Sequence, residues 1–190
     1  NKVVWVKGMK GSARRLAFIR GDLNATRENP AAYKKHVIPV IEKGDAYTWF
    51  HHGLLDVSTG QVGKDPNFPE PTFEALYEAT YGVAPSGDFY DAYKLVKSWR
   101  DALQKAFWVN AGNPNKDKLV AALNKMINDP ESVAAIEKKV GKYEWRTGAE
   151  GDDAVRTLKS FITPEALKTL ADFKSKQLGY NTVYKEELTK

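Results

Sequence analysis

The chain has 190 residues, 42% of them hydrophobic and 12% aromatic, so it can bury a core and a disordered protein is excluded. It contains no cysteine, which excludes a disulfide framework, a thiolate nucleophile and a cysteine metal site. No run approaches the roughly 18 uninterrupted apolar residues of a membrane-spanning helix. Because the sequence opens without an initiator Met or an apolar leader, we expect either a product whose signal peptide was removed or a fragment.

The net charge of +5 is unevenly distributed along the chain. Residues 1–44 contain ten Lys or Arg against three acidic residues, a net of +7, so the remaining residues sum to −2. A basic first quarter is typical of proteins that bind nucleic acid, an anionic surface or a small anionic ligand. It is equally typical of lysines on solvated helix faces.

The first third of the chain alternates between strand-like and helix-like segments. Short runs of apolar and aromatic residues predict strands at residues 3–6, 23–26 and 47–55. A glycine turn follows the first strand, and Ser12 is expected to cap a helix behind it. Such alternation predicts right-handed βαβ units and a parallel sheet.

The second helix is predicted from its cap. Asn29 precedes Pro30, a residue favoured at the first helical position, and the helix is expected to continue to Glu42. Pro39 inside this segment predicts a kink or an early end, because proline has no N–H to donate to the helix.

The rest of the chain predicts helices separated by loops. Residues 56–71 are rich in Gly and Pro and are expected to form a loop. Helices with apolar stripes are predicted after the starts at Thr72, Asp88, Asp129 and Thr163, after the turn at 111–114, and over 150–162. Residues 143–146 alternate like an edge strand.

Four segments in fixed order resemble one protein family. They are the strand, glycine turn and helix start at Val6–Ala13, the helix end Arg20–Leu23, the stretch Asp65–Leu76 and the turn Val109–Pro114. Together they resemble the periplasmic solute-binding receptors of tripartite tricarboxylate transporters, with the family's N-terminal part missing. Asn110 stands where the family's turn usually has a proline.

The resemblance implies an α/β fold of the type II periplasmic-binding class, with parallel or mixed sheets flanked by helices and two lobes, the first incomplete. Residues 1–107 would form most of the second, ligand-binding lobe, and residues 108–190 would return to the first. The implied function is capture of a small carboxylate or related anion in the periplasm, without catalysis, for the integral membrane subunits of a transporter. The complete protein is expected to be a monomer that binds no nucleic acid.

The glycine turn is the first candidate binding site. The backbone N–H groups of Gly11, Ser12 and Ala13 have no acceptor within a helix that starts there, and the helix dipole attracts an anion to them. The carboxyl end of a strand is also where open α/β sheets bind ligands. The alternative is an ordinary turn between strand and helix with a serine cap.

Asn24, Thr26 and Arg27 form the second candidate, at the end of the second predicted strand. A hydroxyl and a guanidinium can both hydrogen-bond a carboxylate, and arginine can do so with two parallel bonds. The alternative is a surface arginine beside a helix cap. Of Arg14 and Arg15, in the first turn of the preceding helix, one is expected to reach a cleft and the other to face water.

His51 and His52 raise the question of a metal site or of catalysis. Neighbouring residues of a strand point to opposite faces, so the pair cannot chelate one ion, and no acid spacing completes a site. The sequence also lacks a phosphate loop, a dinucleotide fingerprint and a nucleophile elbow. We therefore predict structural histidines and a protein that is not an enzyme, with neither cofactor nor metal.

Two other functional classes are left open by the sequence. A basic nucleic-acid-binding domain would interleave basic residues with exposed aromatics, whereas Trp5, Phe18 and Trp49 fall at predicted core positions. A receptor-derived interaction module that has lost its ligand would respond to no anion.

Overall fold

The computed structural model describes residues 3–56, 59–66, 68–103, 106–140 and 145–181. The chain forms two compact units, Asn1–Tyr47 with Ile136–Lys142, and Thr48–Ala135 with Tyr143–Lys190. The division into lobes of residues 1–107 and 108–190 stays a prediction. No helix among the described residues has the length and apolar character needed to cross a membrane.

The first unit contains helices α1 (Gly11–Ile19), α2 (Pro30–Ala32) and α3 (Ile38–Glu42). The predicted cap of α2 is confirmed, since the side chain of Asn29 accepts the N–H of Ala32 at 3.0 Å.

Pro39 does not end the second helical segment. A π-helical turn over Tyr33–Val37 joins α2 to α3, and the N–H of Ile38 bonds to the carbonyl of Tyr33, five residues back. The segment passes Pro39 and reaches Glu42. The wider turn accommodates a proline that cannot donate to the carbonyl one regular turn before it.

The second unit consists mainly of helices. They are α4 (Phe73–Tyr81), α5 (Asp88–Leu103), α6 (Lys116–Ile127), α8 (Ala149–Ser160) and α9 (Pro164–Lys176), together with α7 (Pro130–Val140), whose residues are divided between the two units. Strands β1 (Leu54–Leu55) and β2 (Val62–Gly63) pair antiparallel, with Leu54 opposite Gly63 and Leu55 opposite Val62.

Predicted helix starts in the second unit are confirmed by their caps. The hydroxyl oxygen of Thr72 accepts the N–H of Ala75 at 3.1 Å, and that of Thr163 accepts the N–H of Ala166 at 3.1 Å. The carboxylate of Asp129 accepts from Ser132 at 2.9 Å. These three caps could be predicted from sequence because each depends on residues only three positions apart.

The predicted α/β fold of the type II periplasmic-binding class, with parallel or mixed sheets, is wrong. Among the described residues the sheet content is the β1–β2 pair and one isolated parallel bridge between His51 and Thr72. Residues 3–6 and 23–26 are not strands, and of 47–55 only β1 is one. A strand needs a neighbour to accept its hydrogen bonds, and an apolar run does not supply one, whereas a helix bonds to itself.

The edge strand predicted at 143–146 is only partly within the described residues. Tyr143 and Glu144 lie outside them, and Trp145 and Arg146 are not in a strand.

Helix α5 is the centre of the second unit. It packs against α9, α8 and β1. Its side chains Ala92, Leu95 and Ser98 are buried, as are Leu158 of α8 and Ala166 and Ala171 of α9. These residues belong to the core of this unit. The indole N–H of Trp99 on α5 donates to the carbonyl of Leu158 at 3.0 Å, which fixes α8 against α5. Any site on these helices is therefore held by a packed core.

Candidate functional site

The first predicted binding turn lies at the exposed start of α1. Gly11, Ser12 and Ala13 are its first three residues, and the first intrahelical bond runs from the N–H of Arg14 to the carbonyl of Lys10 at 2.9 Å. Ser12 does not cap the helix, which has no side-chain cap. The amides required by the prediction are in place, but the strand expected before them is absent, so they do not lie at the edge of a sheet.

Asn24, Thr26 and Arg27 are placed beside the same helix. Asn24 and Arg27 are exposed, and Thr26 is half-buried with its hydroxyl oxygen inside. The carbonyl of Arg27 accepts a hydrogen bond from the Arg14 guanidinium at 2.5 Å. The two candidate segments are therefore close together where Arg14 contacts Arg27, and their candidate residues line neither of the two cavities described below.

Arg14 and Arg15 are used within the first unit. Both pair with the buried carboxylate of Glu28, at N–O distances of 3.7 and 3.3 Å. A buried carboxylate is stable only when cations or donors surround it, so these two arginines hold α1 to residues 27–28. The expectation that one of the two faces water is wrong, because both side chains are partly buried against Glu28.

The two histidines have different partners. The Nδ1 atom of His51 accepts the N–H of Gly53 at 2.9 Å, and the Nδ1 atom of His52 lies 2.8 Å from the hydroxyl of Tyr93 on α5. Burial lowers the pKa of both rings, and for His52 the charge of nearby Lys97 lowers the pKa further. Within the described residues no group of three or more His, Cys, Asp or Glu side chains is arranged to hold a metal.

Acid should destabilise the second unit through His52. Its pKa in the folded protein is below the ordinary 6.5, so the unfolded chain binds the proton more readily. Stability is then complete above about pH 6.5 and falls as the pH drops from there through the lower folded pKa. We expect urea midpoints measured between pH 7 and 5 to fall less steeply for His52→Gln than for wild type. His36→Gln, at an exposed position of the other unit, should keep the wild-type slope; equal slopes for the two variants would contradict the prediction.

A polar cavity of about 510 Å³ opens between the β1–β2 hairpin and helices α5 and α8. It is lined by Thr59, Gly60, Gln61, Lys94, Arg156, Thr157, Ser160 and Phe161. The volume is in the usual range of small-molecule sites. Two of the lining side chains are cations, and they come from different helices.

Lys94 is positioned by aromatic rings. Its ammonium lies 5.4 Å from the ring centroid of Tyr90 and 5.4 Å from that of Phe161. Cations are attracted to ring faces at this range, and the contact with two rings restricts a side chain that is otherwise flexible. No carboxylate of the described residues lies within ion-pair distance of this ammonium. The cavity therefore presents a half-buried, fixed positive charge.

Arg156 adds the second cation at the rim. It pairs with Asp153, three residues earlier on α8, and both side chains are largely exposed. An exposed pair of this kind is weak, so the guanidinium can exchange Asp153 for another anion at small cost. Ser160 donates its proton to the carbonyl of Thr157 at 2.6 Å and is an acceptor toward the cavity.

The hairpin loop forms the remaining wall. Gly60 has φ of +70° in this turn and its backbone lies against Phe161, where an added Cβ would be 3.3 Å from the ring. The hydroxyl oxygen of Thr59 accepts the N–H of Gln61 at 3.3 Å, which leaves the hydroxyl proton for an external acceptor. The glycine thus brings the loop close to the ring that supports Lys94.

A second cavity of about 350 Å³ is apolar. Its lining is Leu95, Val96, Trp99, Ile162, Leu167 and Leu170. The indole N–H of Trp99 is already bonded to Leu158, so the cavity offers no polar group to orient a ligand.

Sequence reasoning missed Lys94 and Arg156. They are 62 positions apart in the sequence, and only the packing of α8 on α5 brings them to one cavity. The hairpin loop could have been found, because a few residues that contain a glycine between short apolar runs are typical of a hairpin with a longer loop.

The comparisons with known proteins give no relative. No family model, no curated protein and no solved structure matches the chain.

Proposed function

We propose that the protein captures a small carboxylate or related anion, and that it does so in the polar cavity of the second unit. The observation that carries the proposal is the meeting of Lys94 and Arg156 in one cavity, one fixed by two aromatic rings and the other held by an exposed ion pair. Two cations from separate helices match an anion with two charged ends.

The cavity favours binding over catalysis. Its described lining contains no histidine and no carboxylate, so it offers neither a general base nor a nucleophile paired with one. It does offer charge, hydroxyl and amide groups, and one aromatic wall. The anion would be held and released unchanged.

Delivery to a membrane transporter is the part of the proposal that comes only from the resemblance to solute-binding receptors. A carrier in the periplasm would need an open site from which the anion can leave, and a cavity that is open to solvent suits that need. The proposed site differs from the residues first considered, Gly11–Ala13 with Asn24, Thr26 and Arg27, which line neither of the two cavities described above and stay a separate prediction.

Calorimetric titration with succinate, citrate and inorganic phosphate tests the proposal. Lys94→Met keeps the apolar stem over the rings but removes the charge, and should weaken anion binding roughly 10- to 100-fold, since a hydrogen bond to a charged group contributes about 1.5–3 kcal/mol. Lys168→Met on α9 makes the same change in net charge away from the cavity and should bind as wild type does.

Two results would contradict the proposal. One is an absence of binding heat with all three anions, and the other is an equal loss of affinity in both lysine variants. Thermal melting of each variant shows whether a loss of affinity comes from unfolding.

A further inference from the structure

The first unit exposes most of the large apolar residues near its start. Among its described residues only Ala17 is buried. Val4 is 84% exposed, and the other exposed apolar residues of this region are Val3, Trp5, Val6, Met9, Leu16 and Ile19. Exposure on this scale within one short segment marks a surface that meets something apolar.

Helix α1 presents its apolar stripe outward. Leu16 and Ile19 are three positions apart and so share a helix face, and they are 56% and 51% exposed. The opposite face carries Ala17, which is buried, and Arg14, which pairs with Glu28. The helix is held to the unit by ion pairs and leaves its apolar side chains to solvent, the reverse of an ordinary surface helix.

Positive charge accompanies this apolar surface. Exposed cations of the first unit that have no ion pair among those identified within the described residues include Lys10, Arg27, Lys34, Lys35 and Lys43, and Lys7 is exposed as well. Lys7 and Lys10 flank Met9, directly between the apolar run 3–6 and α1. Two lysines therefore lie between the apolar run 3–6 and the apolar side chains of α1.

We propose that this basic apolar surface, defined by Val3–Ile19, binds anionic lipid bilayers. Lysines near the headgroups attract acidic lipid, while valine, leucine, isoleucine and tryptophan enter the boundary with the acyl chains. Charge complementarity favours an anionic bilayer over a second copy of the chain, because two surfaces of net positive charge repel each other. Trp5 is the one aromatic among the seven large apolar residues exposed in this surface, and this excess of aliphatic side chains favours a bilayer over nucleic acid, whose bases stack on aromatic rings.

This inference rests on the first unit and is independent of the anion cavity. Co-sedimentation of the full chain with phosphatidylcholine vesicles, with and without phosphatidylglycerol, tests it. We expect binding only when phosphatidylglycerol is present and a loss of that binding as salt is raised. The double variant K7E with K10E should bind the acidic vesicles roughly thirtyfold less, at about fivefold for each lysine removed.

A matched control is the pair K116E with K118E on α6, which makes the same change in net charge outside this region. It should sediment as wild type does. The variant L16S with I19S keeps all charges and should also lose binding. Electrostatic attraction to acidic headgroups would remain, but the apolar side chains that enter the bilayer would be missing. Equal binding by the two lysine pairs, full binding by L16S with I19S, or binding of a short single-stranded oligonucleotide but not of vesicles would each overturn the proposal.

Discussion

Gly53→Ala is expected to destabilise the second unit by roughly 2–5 kcal/mol, of which about 1–2 comes from a backbone conformation that disfavours a side chain and about 1–3 from overpacking. Gly53 precedes β1 with φ of +72°, and an added Cβ would lie 2.4 Å from the carbonyl oxygen of Gly63 and 2.7 Å from Val62. The oxygen belongs to the backbone of β2, so the clash is relieved only by moving a strand.

Gly82→Ala separates the two causes. Gly82 ends α4 with φ of +74°, and nothing lies within 4 Å of its added Cβ. It should cost only the conformational part, about 1–2 kcal/mol. Urea unfolding of both variants, followed by tryptophan fluorescence, gives the difference. If both variants lose the same free energy of unfolding, the contact between the added Cβ and β2 does not contribute to the destabilisation.

The same substitution links stability to the proposed function. The hairpin that Gly53 begins carries Thr59, Gly60 and Gln61 to the cavity. A shifted β2 would move that loop away from Phe161 and widen the cavity beside Lys94. Gly53→Ala should therefore weaken anion binding even under conditions where it remains folded, whereas Gly82→Ala should not.

The sequence predicted the helices of this protein better than its strands. Thr72, Asp129 and Thr163 cap helices as predicted, since a cap and its acceptors are neighbours in the chain. Residues 3–6 have the composition of a buried strand and yet are exposed and unpaired with any strand. Composition describes what a segment could bury and contains nothing about whether a partner strand is present.

The same limit applies to the candidate site. The sequence correctly predicted that a helix begins at the turn Gly11–Ala13 and leaves backbone N–H groups without intrahelical acceptors. It also predicted that these groups face a cleft at the edge of a sheet, and that sheet is absent from the described residues. Arg14 and Arg15 could not be separated from ligand-binding arginines by sequence, because their partner Glu28 is 13 or 14 positions away and its burial follows from packing. Trp5 and Trp49, placed in a core by the strand prediction, are exposed. Their exposure removes the sequence argument that was made against a nucleic-acid-binding domain.

Leu158→Ala should cost about 2–5 kcal/mol, the usual range for a leucine truncated in a packed interior. Leu158 is 0% exposed, and its carbonyl accepts the indole N–H of Trp99 at 3.0 Å. The substitution leaves that hydrogen bond possible, because it involves the backbone, but removes the side chain that fills the space between α8 and α5. The cost therefore measures packing at this contact. Leu119→Ala on α6 is the matched control, since Leu119 is 44% exposed and its loss should cost no more than about 0.5 kcal/mol.

The position of Leu158 also makes it a test of the site. It lies two residues after Arg156 on α8, and α5 carries Lys94, so the distance between the two cations depends on how closely these helices pack. Urea titration of both leucine variants measures the packing, and calorimetry with succinate measures its effect on binding. We expect Leu158→Ala to lose affinity while folded and Leu119→Ala to keep it. Unchanged affinity in Leu158→Ala would mean that the spacing of Lys94 and Arg156 does not determine which anion is held.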